Sequence, residues 1–241
     1  MKTVCVIQAR MGSTRLPGKM LELLAGEPLL FHIIERAKAL RCADEIVLAT
    51  TTSESDQKLV TLAKKLGVKA VRGSEEDVLS RFFLALEGKD AKFVVRVCGD
   101  APLFDPEFLD NAVEQLARQD GDVIKWSDGL QRSTAYQGAD VISYRALDWT
   151  KRVCGEDPLA IEHVTAYALA HVDRLRTAAL PPPPDLLVGR FHLSIDTRED
   201  LESIREVYDR IYVPGEVVSL RRAVELIRSE GLGQGRLLES S

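Results

Sequence analysis

The stretch VCVIQARMGSTRLPGKML, residues 4–21, joins an apolar segment to a cationic loop. Residues 4–9 are predicted to form a buried β-strand, because their apolar side chains follow one another almost without interruption. The loop that follows is stiffened by a proline and opened by glycines, and it carries the cations Arg10, Arg15 and Lys19. Cations placed directly after a core strand predict an anionic ligand at this end of the strand.

The loop differs from the two most common phosphate-binding loops. Backbone N–H groups around Gly12 and Ser13 are expected to form an anion-binding concavity. The pattern G-x-G-x-x-G is absent. The pattern G-x-x-x-x-G-K-[ST] fails twice, because five residues separate Gly12 from Gly18 and Met20 stands where a hydroxyl would bind Mg²⁺. The residues therefore indicate either a phosphate loop of another type or a solvated surface loop with incidental charge.

Outward from this loop, strand and helix patterns alternate along the chain. Apolar residues at helical spacing predict helices, and short apolar runs predict strands. This alternation is typical of an α/β fold with a doubly wound, mostly parallel sheet. The predicted strands cover residues 4–9, 45–50, 68–73, 92–100, 122–127, 138–144, 175–180 and 191–197. The predicted helices cover residues 29–40, 55–67, 74–88, 105–119, 145–153, 157–172, 198–211 and 220–229.

Size and charge limit the possible functions. A chain of 241 residues is predicted to form a single domain over residues 1–241, in which about residues 133–190 form a possible subdomain, insertion or dimerisation element. The net charge is −5 and there is no long basic run, so a nucleic-acid partner or a membrane surface is disfavoured. No apolar stretch approaches the roughly 20 residues of a membrane span.

The cysteines and the first residues bear on the compartment. The four cysteines are far apart in the sequence and show no metal-ligand spacing. The first residues carry one lysine and then a short strand-like run, which is not the pattern of a signal peptide. We therefore expect a reducing, cytoplasmic setting.

Two aspartates follow predicted strands. Asp100 comes after Gly99 at the end of an apolar strand, and Asp196 follows the strand predicted near the other end of the chain. Mg²⁺ on a polyphosphate typically takes one or two protein carboxylates and several waters. These aspartates can supply them if their strands are neighbours in the sheet. The alternatives are that Asp100 caps a turn and that Asp196 caps the following helix.

Four motifs carry a family resemblance: IQARMGSTRLPGKML, VCGDAPLFDP, EHVTAY and SIDTREDLE. Together they resemble the sugar cytidylyltransferases, which include the CMP-KDO and CMP-acylneuraminate synthetases. The most similar branch is the spore coat polysaccharide biosynthesis protein F-like group. The resemblance spans about residues 1–208. It implies a nucleotide-diphospho-sugar transferase (Rossmann-like) fold, with a mixed, mainly parallel sheet flanked by helices, and a homodimer. It also implies Mg²⁺-dependent transfer of CMP from CTP to an acidic, ulosonic-type sugar, with release of pyrophosphate, for surface polysaccharide synthesis.

The resemblance also implies roles for individual residues. The catalytic residues would be Lys19, Arg10 and Arg15. The nucleotide would contact Ala9, Arg10, Gly12, Ser13, Lys19, Thr50, Thr51 and Cys98. The sugar would contact Arg72, His163 and Tyr167, and Mg²⁺ would bind Asp100 and Asp196. His163 and Tyr167 are four residues apart in a predicted helix and so are expected to share a face; the alternative is a helix packed on the core.

The sequence departs from the KDO synthetases at one motif. They carry QGDEP where this chain has CGDAP, so Cys98 replaces a glutamine and Ala101 an acidic residue. A thiol cannot reproduce the paired donor and acceptor of an amide. Two enzymatic alternatives therefore stay open: another NTP, and a sugar-phosphate or non-sugar acceptor. A non-catalytic binding module of the same fold is the alternative from another class.

Overall fold

The computed structural model describes residues 2–125, 138–181, 183–186 and 193–230. Within these ranges it contains two sheets and their surrounding helices. The strands are β1 (Lys2–Gln8), β2 (Leu23–Leu24), β3 (Glu27–Pro28), β4 (Glu45–Thr51), β5 (Lys69–Gly73), β6 (Ala91–Cys98), β7 (Val123–Lys125), β8 (Ala139–Ser143) and β9 (Thr177–Ala179). The helices are α1 (Leu29–Lys38), α2 (Gln57–Lys65), α3 (Val78–Leu86), α4 (Pro106–Arg118), α5 (Tyr144–Val153), α6 (Pro158–His163), α7 (Ala166–Ala170), α8 (Arg198–Ile211) and α9 (Leu220–Glu230).

The large sheet has seven strands in the order β5-β4-β1-β6-β8-β7-β9. Strands β5, β4, β1 and β6 are parallel to one another. Strand β8 runs antiparallel to β6 and to β7, and β9 pairs in parallel with β7. The predicted mixed, mainly parallel sheet flanked by helices is therefore confirmed. A small hairpin of β2 and β3, which the sequence patterns did not predict, follows the first loop.

Strand β1 lies at the centre of the molecule, and its side chains alternate between two cores. Val4 and Val6 pack with α3, α5 and α7 on one face of the sheet. Cys5 and Ile7 pack with α1, α2, α4, α8 and α9 on the other. All four side chains are fully buried, which explains the continuous apolar run in the sequence.

The carboxyl ends of β1 and β6 meet closely at one edge. The backbone N–H of Gly99 donates to the carbonyl of Gln8 at 2.9 Å. A Cβ atom at Gly99 would lie 2.9 Å from both that carbonyl oxygen and the Cβ of Ala9, so only glycine fits without displacing backbone. This contact brings the loop after β1 next to Asp100, which follows Gly99 directly.

Two predicted elements in the second half are wrong. The helix predicted over residues 157–172 is two short helices, α6 and α7, with Val164 at a φ of 51° between them. The strand predicted over residues 191–197 is not a strand in its described part, residues 193–197. Residues 191–192, like residues 126–127 of the strand predicted over 122–127, lie outside the described residues.

The predicted subdomain or dimerisation element, residues 133–190, is described over residues 138–181 and 183–186. These residues supply β8 and β9 to the large sheet, together with helices α5, α6 and α7. Its role as a separate element stays a prediction. In the part of the chain that the structure describes, none of the helices is both long enough and apolar enough to cross a membrane.

Candidate active site

A cavity of about 380 Å³ opens where β1 and β6 end, and helices α3 and α6 contribute to its walls. Cations outnumber carboxylates among its described lining residues, although the whole chain carries a net charge of −5. The walls therefore favour an anionic ligand. The lining cations are Arg10, Arg15, Lys19, Arg81 and Arg96, and the lining carboxylates are Asp100, Glu162 and Asp196.

Lys19 and the two predicted metal ligands converge in this cavity. The Lys19 ammonium donates to Asp100 Oδ2 at 2.9 Å and to the carbonyl oxygen of Ile195 at 2.6 Å. Asp196 Oδ1 lies 3.7 Å from the same nitrogen. The lysine is almost completely buried, so these three oxygens fix its position. The structure thus brings together residues that are 81 and 177 positions apart in the chain.

The two loop arginines reach the cavity from different directions. Arg15 forms an ion pair with Asp196 at 2.8 Å, and its side chain remains two-thirds exposed. Arg10 donates to the carbonyl oxygen of Glu75 at 3.1 Å and lies 3.6 Å from the carboxylate of Glu162. Both guanidinium groups therefore have carboxylate partners that an anionic ligand can replace.

Asp56 holds the loop against the sheet, and the sequence patterns did not identify it. Its carboxylate accepts from the Met11 backbone N–H at 2.8 Å and from the hydroxyls of Thr50 and Thr51 at 2.8 and 2.6 Å. Burial opposes its ionisation, but these hydrogen bonds lower the pKa of Asp56 below its usual value. The charged carboxylate is therefore a fixed anchor for the start of the loop.

Thr50 and Thr51 were predicted to contact the nucleotide. The structure places both in the interior, with their hydroxyls bonded to Asp56, and neither lines the cavity. In these positions they support the loop through Asp56.

The other predicted nucleotide contacts fall into two groups. Ala9, Ser13 and Cys98 line the cavity, together with the loop cations. Burial raises the pKa of the Cys98 thiol to about 12, so the thiol is neutral at physiological pH. Gly12 is exposed and is not among the residues that line the cavity; a Cβ atom there would approach only the end of the Glu75 side chain, whose Oε1 would be 2.8 Å away.

Asp196 reaches the cavity from an irregular segment. The Ile195 backbone N–H donates to the carbonyl oxygen of Asp100 at 2.8 Å, which joins the segments that carry the two aspartates. The helix after it is capped by Thr197, whose hydroxyl accepts from the Asp200 N–H in a capping box. Asp196 is therefore not the cap, and its carboxylate is directed at Lys19 and Arg15.

His163 and Tyr167 do not share a helix face, contrary to the prediction. His163 is the last residue of α6 and lines the cavity, whereas Tyr167 lies on α7. The Tyr167 ring stacks on His171, with ring centroids 4.3 Å apart. The break at Val164 turns the two side chains in different directions.

Arg72, a predicted sugar contact, lies away from the cavity. Its guanidinium donates to the carbonyl oxygens of Thr51 and Ser53 at 2.9 and 2.8 Å, and to the side chain of Gln57 at 2.9 Å. These bonds fix the connection between β4 and α2. A sugar-binding role for Arg72 stays a prediction that this geometry does not support.

Five further polar residues line the cavity without having been predicted: Gln8, Thr14, Arg81, Arg96 and Glu162. Arg96 could have been found, because it is a cation within an otherwise apolar strand pattern. Glu162 directly precedes His163. Arg81 on α3 is buried, and its burial, followed by the nearby Arg10 charge, lowers its pKa. Its Nε atom has no hydrogen-bond partner among the described residues.

The oxygen donors at Lys19 suit a metal that arrives with a polyphosphate. Asp100 and Asp196 present carboxylate oxygens to one cation, the Lys19 ammonium. Two carboxylates plus water and phosphate oxygens form the ligand set that Mg²⁺ takes in such sites. Among the described residues, no cluster of three or more histidine, cysteine, aspartate or glutamate side chains could hold a metal.

Comparisons with known proteins show the family to which this chain belongs. A family model described as cytidylyltransferase matches residues 4–167. The spore coat polysaccharide biosynthesis protein SpsF of Bacillus subtilis is 35% identical over 209 residues, which cover 85% of each chain. A 3-deoxy-manno-octulosonate cytidylyltransferase of Chelativorans is 29% identical over 90% of this chain and 89% of that one.

The fold itself is similar to that of a solved cytidylyltransferase from Leptospira borgpetersenii, with a TM-score of 0.86, 28% identity and full coverage of both chains. The expected nucleotide-diphospho-sugar transferase fold is therefore confirmed. Because the family model matches more than half of the sequence and the SpsF relative is 35% identical over 85% of each chain, the chain belongs to the cytidylyltransferase family and is a nucleotidyltransferase.

Proposed function

We propose that the protein transfers CMP from CTP to an acidic, ulosonic-type sugar in a Mg²⁺-dependent reaction that releases pyrophosphate. The convergence of Lys19 with Asp100 and Asp196 at the end of the cationic loop carries the proposal. The name of the SpsF relative supports a role in the synthesis of a surface polysaccharide. The name of the octulosonate cytidylyltransferase supports an eight-carbon acidic sugar as the type of acceptor.

The chain's own groups hold the triphosphate and stabilise developing charge. Lys19 leaves Asp100 for a phosphate oxygen, and Arg10 and Arg15 exchange their carboxylate partners for further phosphate oxygens. Asp100 and Asp196 would hold Mg²⁺, which when bound would offset charge on the α-phosphate and on the pyrophosphate. An acceptor oxygen attacks the α-phosphorus in line, the bond to pyrophosphate breaks, and no protein nucleophile is required.

The acceptor would occupy the part of the cavity beside α6. Arg96 and Arg81 there offer positive charge to a sugar carboxylate, and Glu162 and His163 offer acceptors for its hydroxyls. Cys98 lines the cavity at the position where the KDO synthetases carry a glutamine amide. A sugar other than KDO, a sugar phosphate or a non-sugar acceptor is therefore an alternative acceptor for the same cavity. Another NTP in place of CTP is the remaining enzymatic alternative.

A screen of each NTP against a panel of acidic sugars, sugar phosphates and non-sugar alcohols, read by pyrophosphate release with and without Mg²⁺, tests the proposal. We expect release with CTP, Mg²⁺ and an ulosonic acid, and none from Asp100→Asn under the same conditions. Release with a different NTP or acceptor class would replace the proposal by that alternative. Release that continues in EDTA would remove the metal from it.

The proposal includes a homodimer in a cytoplasmic setting. The dimer follows from the family resemblance, and residues 133–190 are the segment in which we place the interface. Light scattering coupled to size-exclusion chromatography measures the mass directly: a value of twice 26.7 kDa supports the dimer, and a value equal to it contradicts the dimer.

A further inference from the structure

The connection between α6 and α7 is a strained turn. Val164 has φ 51° and ψ −66°, and the Thr165 N–H donates to the carbonyl oxygen of His163 at 2.5 Å. This is a γ-turn with positive φ, a rare conformation that is unfavourable for a β-branched residue. Such a turn persists only where the surrounding structure holds it in place.

A chain of buried hydrogen bonds holds this turn to the sheet. The Thr165 hydroxyl donates to Asp140 Oδ2 at 3.1 Å. The same oxygen accepts from Arg96 at 3.0 Å, and Arg96 Nε donates to Gln8 Oε1 at 2.9 Å. Asp140 on β8 lies directly opposite Arg96 on β6, so the sheet register itself fixes this pair.

Burial makes the chain of bonds hard to break. Thr165 is almost completely buried, and the Arg96 and Asp140 side chains are only 10% and 17% exposed. A buried ion pair whose partner is removed leaves an uncompensated charge, so the geometry of the intact set is strongly preferred. The bonds therefore transmit the position of the sheet to the end of α6.

The end of α6 is where the cavity receives Glu162 and His163. Arg96 also lines the cavity and lies four residues before Asp100 on the same strand and turn. Strand β6 thus helps to set the positions of both Asp100 and the end of α6. Without the Thr165 bond, the strained turn can relax toward a continuous helix, and this would rotate His163 away from the cavity.

The geometry points to Asp140 and Thr165 as positioning residues that hold the α6–α7 turn, and with it His163, in place for the acceptor. This inference rests on the proposed function in assigning that part of the cavity to the acceptor. Neither Asp140 nor Thr165 lines the cavity, and their side-chain hydrogen bonds include those to Arg96 and to the end of α6. Among the described residues, one ion pair joins α6 to the loop, that between Arg10 and Glu162; the charged atoms are 3.6 Å apart and the Glu162 side chain is 46% exposed. Because that pair is weak, the effect on the nucleotide is small.

Thr165→Val, Thr165→Ser and Thr150→Val together test the inference. Thr165→Val removes the hydroxyl at constant shape, and Thr165→Ser keeps the hydroxyl. Thr150 on α5 is an equally buried threonine whose hydroxyl has no partner among the described residues, so Thr150→Val is a matched control. We expect Thr165→Val to raise the KM for the acceptor about tenfold and to leave the KM for CTP within about twofold. Thr165→Ser and Thr150→Val should resemble the wild-type protein.

A second readout does not depend on turnover. The chain has four histidines, and the His163 imidazole signal in a proton NMR spectrum is identified as the one missing from His163→Gln. We expect this signal to shift in Thr165→Val and to stay in place in Thr165→Ser and Thr150→Val. If Thr165→Val does not fold, as judged by circular dichroism, Thr165→Ala is measured in the same way.

The outcomes separate the inference from the proposed function. Unchanged His163 signal and unchanged acceptor KM in the folded Thr165 variant would overturn the inference, as would an equal rise in both KM values. If the wild-type protein releases no pyrophosphate with any acceptor, the proposed function fails. The His163 signal alone then decides whether Thr165 positions the end of α6.

Discussion

The two ends of the cavity hold their charged groups in different ways. We call the loop end the residues Arg10, Arg15, Lys19, Asp100 and Asp196, and the helix end the residues Arg81, Arg96, Glu162 and His163. At the loop end, Arg15 pairs with Asp196 while its side chain is 66% exposed. At the helix end, Arg96 pairs with Asp140, which lies in the sheet behind the cavity wall, and both are mostly buried.

This difference separates exchangeable charges from fixed ones. An exposed ion pair contributes only about 0–1 kcal/mol, so a triphosphate and its metal can replace it at little cost. A buried pair is costly to break, so it serves to hold backbone in place. The exposed Arg15–Asp196 pair at the loop end is therefore suited to exchange partners with a charged ligand, whereas the buried Arg96–Asp140 pair at the helix end holds its side chains at fixed positions.

The largest effect is expected at the loop end from Asp100→Asn. The change keeps the shape of the side chain but removes the charge that faces Lys19, and with it the predicted metal ligand. We expect kcat for pyrophosphate release to fall by about 10³-fold, with circular dichroism unchanged. The control is Asp110→Asn, which removes a carboxylate that bonds Arg41 and Cys42 far from the cavity and should leave kcat unaffected.

Lys19→Met tests whether the lysine holds the place of the metal in the free protein. The substitution removes the ammonium from Asp100 and leaves Asp196 with Arg15 as its cation. We therefore expect a loss of stability of about 2 kcal/mol without Mg²⁺ and a fall in kcat of about 10²-fold. Adding Mg²⁺ should raise Tm more in Lys19→Met than in the wild-type protein. Lys38→Met, which removes an exposed pair with Glu35, is the control. An equal Mg²⁺ response in all three proteins would contradict the shared site.

Asp56→Asn tests the anchor behind the loop. The amide can accept some of the bonds from Thr50, Thr51 and Met11 but carries no charge, so we expect a loss of about 2 kcal/mol in urea unfolding at pH 7. We also expect the KM for CTP to rise about tenfold with less change in kcat. An exposed carboxylate change, Asp148→Asn, serves as the control.

The same anchor has a pH dependence with a defined sign. The pKa of Asp56 is lower in the folded protein than its ordinary value near 3.9. Its contribution to stability is therefore complete well above that ordinary value and is lost as the pH falls through it and then through the lower, folded-state pKa. The difference in unfolding free energy between wild type and Asp56→Asn should shrink as the pH falls below about 5. A difference that stays constant would show that the charge is not the anchor.

The smallest effect is expected from Cys98→Ser in the wall of the cavity. Because burial raises the pKa of the thiol to about 12, no thiolate is available for chemistry near neutral pH. We expect kcat and the pH profile between about pH 7 and 9 to stay within about twofold of wild type. Cys42→Ser, remote from the cavity, is the comparison. A profile that loses an ionisation in Cys98→Ser alone would assign the thiol a catalytic role.

Much of the loop end could be predicted from the sequence, because its cationic residues lie close together in the chain. An apolar strand, a loop with Pro and Gly, and cations at fixed spacing all lie within residues 4–21, and the rule that parallel strand ends meet at one edge places Asp100 beside them. Asp196 was identified for a reason that the structure corrects in detail, since it follows an irregular segment and not a strand. The role of Asp56 could not be predicted, because its hydrogen bond to the Met11 N–H depends on how the loop packs against β4.

The arrangement of the helix end was harder to predict from the sequence, because hydrogen bonds between distant segments override the local helix propensity there. Residues 157–172 have the apolar spacing of one helix, and that spacing does not predict a turn at Val164. The turn depends on Asp140, which is 25 positions from Thr165, and on the pairing of β6 with β8. Local propensity is a weak prior when a buried polar partner competes with it.

By itself the sequence determined the α/β class, the parallel strands around β1 and the cationic loop with its aspartate partners, because periodicity and residue type encode them directly. Only the tertiary structure decided which side chains share the cavity. It brought in Arg96, Arg81 and Glu162 and left out Thr50, Thr51, Arg72 and Tyr167. The physical reason is that a side chain's partner depends on sheet register and buried hydrogen bonds, and these are satisfied between segments that are distant in the chain.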